Sequence, residues 1–118
     1  MASQNDIGFA TFQATPAVSA YRVVELAADG TIKVIVTAES KGIGVTQEDA
    51  ASGGYCLVKL WNAPGTFKCA VTGTAVTAAT SYTPTVGGLL TAVVTTARVV
   101  ALESAVASAG IIVEVLPL

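Results

Sequence analysis

The side chains that could carry chemistry are few, and the most telling is one the chain lacks: it contains no histidine. That removes the commonest general base, the commonest metal ligand and the usual partner of a nucleophilic serine together. Serines and threonines are plentiful, but without a base beside them none stands out as a nucleophile. Cys56 and Cys69 lie in apolar surroundings, at a spacing that matches no zinc-finger pattern, and zinc would have to recruit scattered acids to complete its ligand set. They read as small buried hydrophobes, with a single bridge between neighbouring strands as the alternative. The acid pair Glu48-Asp49 sits in a polar stretch before Gly53. A catalytic pair needs one carboxylate raised by burial, so this one reads as a turn or a partner salt bridge. Gly42-Ile43-Gly44 is too short for a dinucleotide fingerprint and reads as strand geometry. The expectation is therefore no catalysis, no metal and no cofactor.

What remains are groups suited to docking. Trp61 stands at a strand end before the turn residues Asn62-Ala63-Pro64-Gly65. It reads as a core or rim anchor, or as an interface hot spot, since an exposed indole is costly unless it docks. Residues 1–16 read as an arm that carries Ile7, Phe9 and Phe12 and stops at Pro16. Leaving two phenyl rings in water forgoes about 1.5–3 kcal/mol of burial each, which favours a docked arm. Ile7, Phe9, Phe12, Trp61 and Pro64 are thus the expected contact residues.

Composition points the same way. Only 12% of the chain is charged, against about 25% in ordinary soluble domains, so part of the surface is expected to be covered by a partner. The basic residues Arg22, Lys33, Lys41, Lys59, Lys68 and Arg98 are scattered singly, which offers no counterion-release term for nucleic acid. The start of the chain lacks the basic and apolar regions of a signal peptide. The longest apolar stretch, Val86 to Leu102, is broken by Gly87, Gly88, threonines and Arg98, so no membrane span is expected.

The elements that must position these residues are strands. Period-two alternation from Ser19, a turn at Asp29-Gly30 and a return through Ile32, Val34 and Val36 predict a hairpin. Gly42 to Thr46 predicts a short strand. Tyr55 to Trp61 and Thr66 to Val71 predict a second hairpin across the Pro64-Gly65 turn. Leu89 to Val94 follows the Val86-Gly87-Gly88 turn, and Arg98 to Glu103 with Ile111 to Leu116 predicts the final pair. The Ala-rich run Ala97 to Ala109 could be helical, but its β-branched residues and Gly110 favour strand then turn. Short strands about ten residues apart between Gly and Pro turns predict an all-β barrel or sandwich, one domain over residues 17–118. A weak echo links Gly30–Leu60 to Gly88–Leu116, with Glu48 and Glu103 in comparable places: either a duplicated β unit or two similar hairpins.

In order, Ile43 to Gly53, Val58 to Lys68, Val100 to Ala105 and Ile111 to Pro117 resemble the small capsid decoration, or cement, proteins of tailed bacteriophages. The resemblance spans Val18 to Pro117. It implies a small β-barrel or β-tulip-like subunit with an extended N-terminal arm. Such a subunit is made in the host cytoplasm and assembles as a homotrimer. It binds the major capsid protein on the outer capsid surface of the expanded head and stabilises that lattice. It carries over no contact residue, so the five named above rest on residue chemistry alone. The alternatives are another β-type virion subunit, for tail or head completion, and a ligand-binding β module.

Overall fold

The computed structural model describes residues 8–73, 75–92, 96–108 and 110–118. Among the described residues it is all-β, with ten strands and no helix. The first five are β1 (Phe9–Gln13), β2 (Val23–Leu26), β3 (Ile32–Val34), β4 (Gly44–Thr46) and β5 (Tyr55–Leu60). They form one antiparallel sheet in the order β1-β5-β4-β2-β3. Strands β6 (Phe67–Ala70), β7 (Ser81–Pro84), β8 (Leu90–Ala92), β9 (Val99–Ala101) and β10 (Ile112–Pro117) form the other, in the order β6-β10-β9-β7-β8.

The two orders are the same, strand for strand, so the echo in the sequence is a repeat of topology. It extends to single bonds. Glu48 Oε2 accepts from the Leu57 N–H at 3.0 Å, and Glu103 Oε1 accepts from the Glu114 N–H at 3.1 Å. Asp49 caps the Ala20 N–H, and Ser104, at the matching place, caps that of Ala78. Tyr21 and Ala79 match as well, both with positive φ.

The β2–β3 hairpin forms as its alternation predicts. Gly30 supplies the positive φ of 86° that the turn requires. Asp29 accepts from the Thr31 hydroxyl and N–H, which holds its carboxyl below the usual range. The closing pair is also present, with Val115, Leu116 and Pro117 of β10 opposite Ala101, Val100 and Val99 of β9. The expected hairpin across Pro64-Gly65 does not form. Both edges of β5 are taken, one by β1 and one by β4, so β6 has nowhere to pair and crosses to β10 in the other sheet.

Each sheet curls until its outer strands meet at one parallel bridge, Ala14 to Ile32 in the first and Val71 to Leu90 in the second. Strands β3 and β8 are three residues long, too short to extend that bridge into a ladder, so neither sheet closes as a barrel.

The larger core lies between the halves. Val23, Ile35, Val45 and Ala63 of the first pack with Phe67, Cys69, Val71, Leu90, Val99, Val113 and Val115 of the second. A smaller core of Val24, Ile32, Cys56, Val58, Ala14, Val18 and Ala50 fills the curl of the first sheet. Adjacent Val23 and Val24 are therefore both buried, because the first sheet is covered on both faces there. Of the expected arm, Phe9–Gln13 is β1, paired along β5 from Phe9–Lys59 to Gln13–Tyr55.

Candidate interaction surface

Phe12 and Trp61 share one surface. Phe12 reaches over the small core from β1, and Trp61 follows the end of β5. With Leu26, Lys41, Gly42, Ile43, Leu60 and Asn62 they line an open groove of about 540 Å³ at the mouth of the first sheet. The indole is fixed on both sides. Its Nε1–H donates to the Lys41 carbonyl at 2.6 Å, and its ring lies 4.8 Å, centroid to centroid, from Phe67. Trp61 thus reads as a rim anchor with one side on the core and one side on the groove.

The other expected contact residues lie elsewhere. Phe9 and Phe12 are three apart on one strand and so point to opposite faces. Phe9 lies beneath the Lys59 ammonium, 5.8 Å away, which also caps Phe67 at 4.5 Å and donates to the Thr66 carbonyl at 2.5 Å. Pro64 is exposed in the crossing between the sheets. Ile7 lies outside the described residues. Leu26, Lys41 and Ile43 were not singled out from the sequence. Leu26 ends β2, whereas Lys41 and Ile43 lie in the segment that leads into β4, and only the pairing of β2 with β4 and of β4 with β5 brings them to one place.

A second surface is the outer face of the second sheet. Ile112, Leu102 and Leu116 are 43%, 45% and 41% exposed there. A cavity of about 500 Å³ beside them is lined by Tyr21, Lys68, Glu103, Ile112, Val113 and Glu114. The Thr66 hydroxyl donates to Glu114, which sits opposite Lys68 across the β6–β10 pair.

Cys56 and Cys69 are buried and unbridged. Burial pushes both thiols up, Cys69 to about 12, with the nearby Arg22 charge offsetting only part of the effect. Among the described residues, no three His, Cys, Asp or Glu side chains stand close enough to hold a metal ion. No described helix is long and apolar enough to cross a membrane.

The architecture defined so far is a tandem of two curled five-stranded sheets around a shared core. No protein-family model matches the chain, and no curated protein sequence matches it. The fold is similar to that of the N base of head fiber gp8.5 from bacteriophage phi29, a crystal structure. The TM-score is 0.75, over 93% of this chain and 92% of that one, at 18% sequence identity. At that identity the likeness is one of fold.

Proposed function

We propose that this chain is a structural subunit of a tailed-phage virion, a decoration protein without catalytic activity or cofactor. It binds the outside of the head as a homotrimer and clamps neighbouring major capsid proteins. The observation that carries the reading is the fold shared, along nearly the full length of both chains, with a head-fibre base. Two features support it: the low charge, and large apolar side chains exposed on both halves, among them Leu26, Tyr55, Leu102 and Ile112. Repetition over a lattice would turn weak contacts on such faces into avid binding.

The test has two parts. Light scattering behind a sizing column is expected to give three times the 11.8 kDa chain mass. Co-sedimentation is expected to show binding to expanded heads and none to procapsids. Failure to bind expanded heads sinks the reading. The structural neighbour itself favours a second reading, the base of a head fibre. Imaging of decorated heads separates the two: isolated knobs support decoration, and a fibre rising from each knob supports a base.

A further inference from the structure

The repeat allows the groove beside Trp61 to be read against its counterpart in the second half. Pairing and hydrogen bonds fix the correspondence. Ile43 donates its N–H to the Val24 carbonyl, and Arg98 donates its own to that of Tyr82. Trp61 donates to the Ile43 carbonyl, and Leu118 to that of Arg98. Ile43 therefore matches Arg98, Lys41 matches Thr96, and Leu26 matches Pro84.

In the second half this place is plugged by Glu39, from the loop before β4. The Glu39 N–H donates to the Pro84 carbonyl at 2.7 Å. Its carbonyl accepts from Arg98 Nε and Nη2 at 3.3 and 3.2 Å, and its carboxylate accepts from the Thr96 N–H at 2.9 Å. The three residues that hold Glu39 are the counterparts of three that line the groove. In the first half, no described segment of the chain plugs the corresponding place, and Leu26 is 49% exposed there. The side chains have changed in one direction. Phe12 replaces the smaller Cys69, Ile43 replaces Arg98 and Trp61 replaces Leu118, which makes the floor broad and apolar, while Lys41 puts a cation at the rim where Thr96 stands.

We propose that this groove is a receptor for a loop of another protein subunit, entering as Glu39 enters the second half. The loop brings a backbone N–H for the Leu26 carbonyl, a carboxylate for Lys41 and an apolar side chain for Phe12, Leu60 and Trp61. The inference deepens the reading above, on which it rests for the partner: that subunit is the major capsid protein. Charge complementarity selects an acidic loop, since Lys41 is the one charged residue lining the groove among the described residues.

The test uses the full chain and, as probe, the capped pentapeptide Val-Thr-Ala-Glu-Ser, the sequence of residues 36–40. Trp61 is the only tryptophan, so its emission reports occupancy directly. The expected result is a saturable change with a dissociation constant of about 1 mM or tighter. It weakens at least about tenfold in Lys41→Glu or Leu26→Asp, both at exposed positions that leave the core intact. No saturable change, or equal constants in wild type and both variants, overturns the receptor. Heads provide the second arm. If wild type binds expanded heads and the two variants bind equally well, the capsid protein is not the occupant and the proposal falls, although the decoration reading stands. If wild type takes the peptide but not heads, the decoration reading falls and the groove remains a receptor for such a loop.

Discussion

At the scale of single residues, the polar groups that looked reactive are spent on holding the chain. The Glu48 and Asp49 carboxylates each accept from a main-chain N–H, the role of an ordinary cap rather than of a catalytic pair. The thiols are sealed: Cys56 donates to the Glu48 carbonyl at 3.2 Å, and Cys69 lies wholly inside the shared core. Neither thiol is expected to react with a disulfide reagent in the native protein at pH 8, and both in denaturant; fast native labelling of either one would contradict the burial. Cys69 also sets a pH dependence. Its folded pKa is raised, so the folded protein holds this proton after the unfolded chain has begun to lose it. The contribution is complete below about 8.5, where a free thiol ionises. It is lost as pH rises from there towards about 12, the folded value. The urea midpoint should fall across that window, and Cys69→Ala should flatten the fall. An unchanged slope in the variant would assign the pH dependence to other groups.

At the scale of elements, the repeat provides matched experiments within one chain. Gly30 and Gly88 end equivalent turns, with φ of +86° and +77°. A Cβ on Gly30 would meet nothing within 4 Å, whereas one on Gly88 would stand 2.7 Å from the Val23 carbonyl oxygen, in the seam between the halves. Gly30→Ala is therefore expected to cost only the left-handed strain, about 1–2 kcal/mol. Gly88→Ala adds overpacking against backbone that cannot yield, for about 2–5 kcal/mol in all. Urea unfolding of both variants checks the difference, and equal losses would mean that the seam is looser than its distances indicate. The same scale explains what the sequence could disclose. The β2–β3 hairpin was legible because alternation and Asp29-Gly30 are local signals, and the β9–β10 pair because Gly110 separates two apolar runs. The echo between Glu48 and Glu103 was legible too, since each acid sits at one fixed step of its unit. The partner of β6 was not: whether β5 still has a free edge depends on β1 and β4, far away in the chain. Half of the groove was readable for the same reason. Phe12 and Trp61 announce themselves by size, but nothing near Leu26 or Ile43 in the sequence says that they will meet.

At the scale of the whole molecule, the question is whether two matching halves make two folding units. Topology suggests that they could, yet burial decides otherwise. The second half contributes Phe67, Cys69, Leu90, Val99, Val113 and Val115 to a core whose other wall is Val23, Ile35 and Val45 of the first. Main-chain bonds cross the same seam: Val23 N–H to the Gly88 carbonyl, Ala70 N–H to that of Tyr21 and Gly87 N–H to that of Ile35. Cut free, the second half would expose that apolar wall to water and take the Gly88 carbonyl and the Ala70 and Gly87 N–H groups from their partners, losses that a domain of half this size cannot absorb. A fragment of residues 65–118 is accordingly expected to be unfolded in isolation, with no dispersed amide spectrum. The intact chain should unfold in one step, with Trp61 emission and far-ultraviolet dichroism coincident along the urea axis. Ile35→Ala, a substitution in the first half, should shift that whole transition by about 2–5 kcal/mol rather than split it. Two separable transitions, or a folded fragment, would make the halves independent domains, and the plugging of the second half by Glu39 would then be a docking contact instead of part of one core.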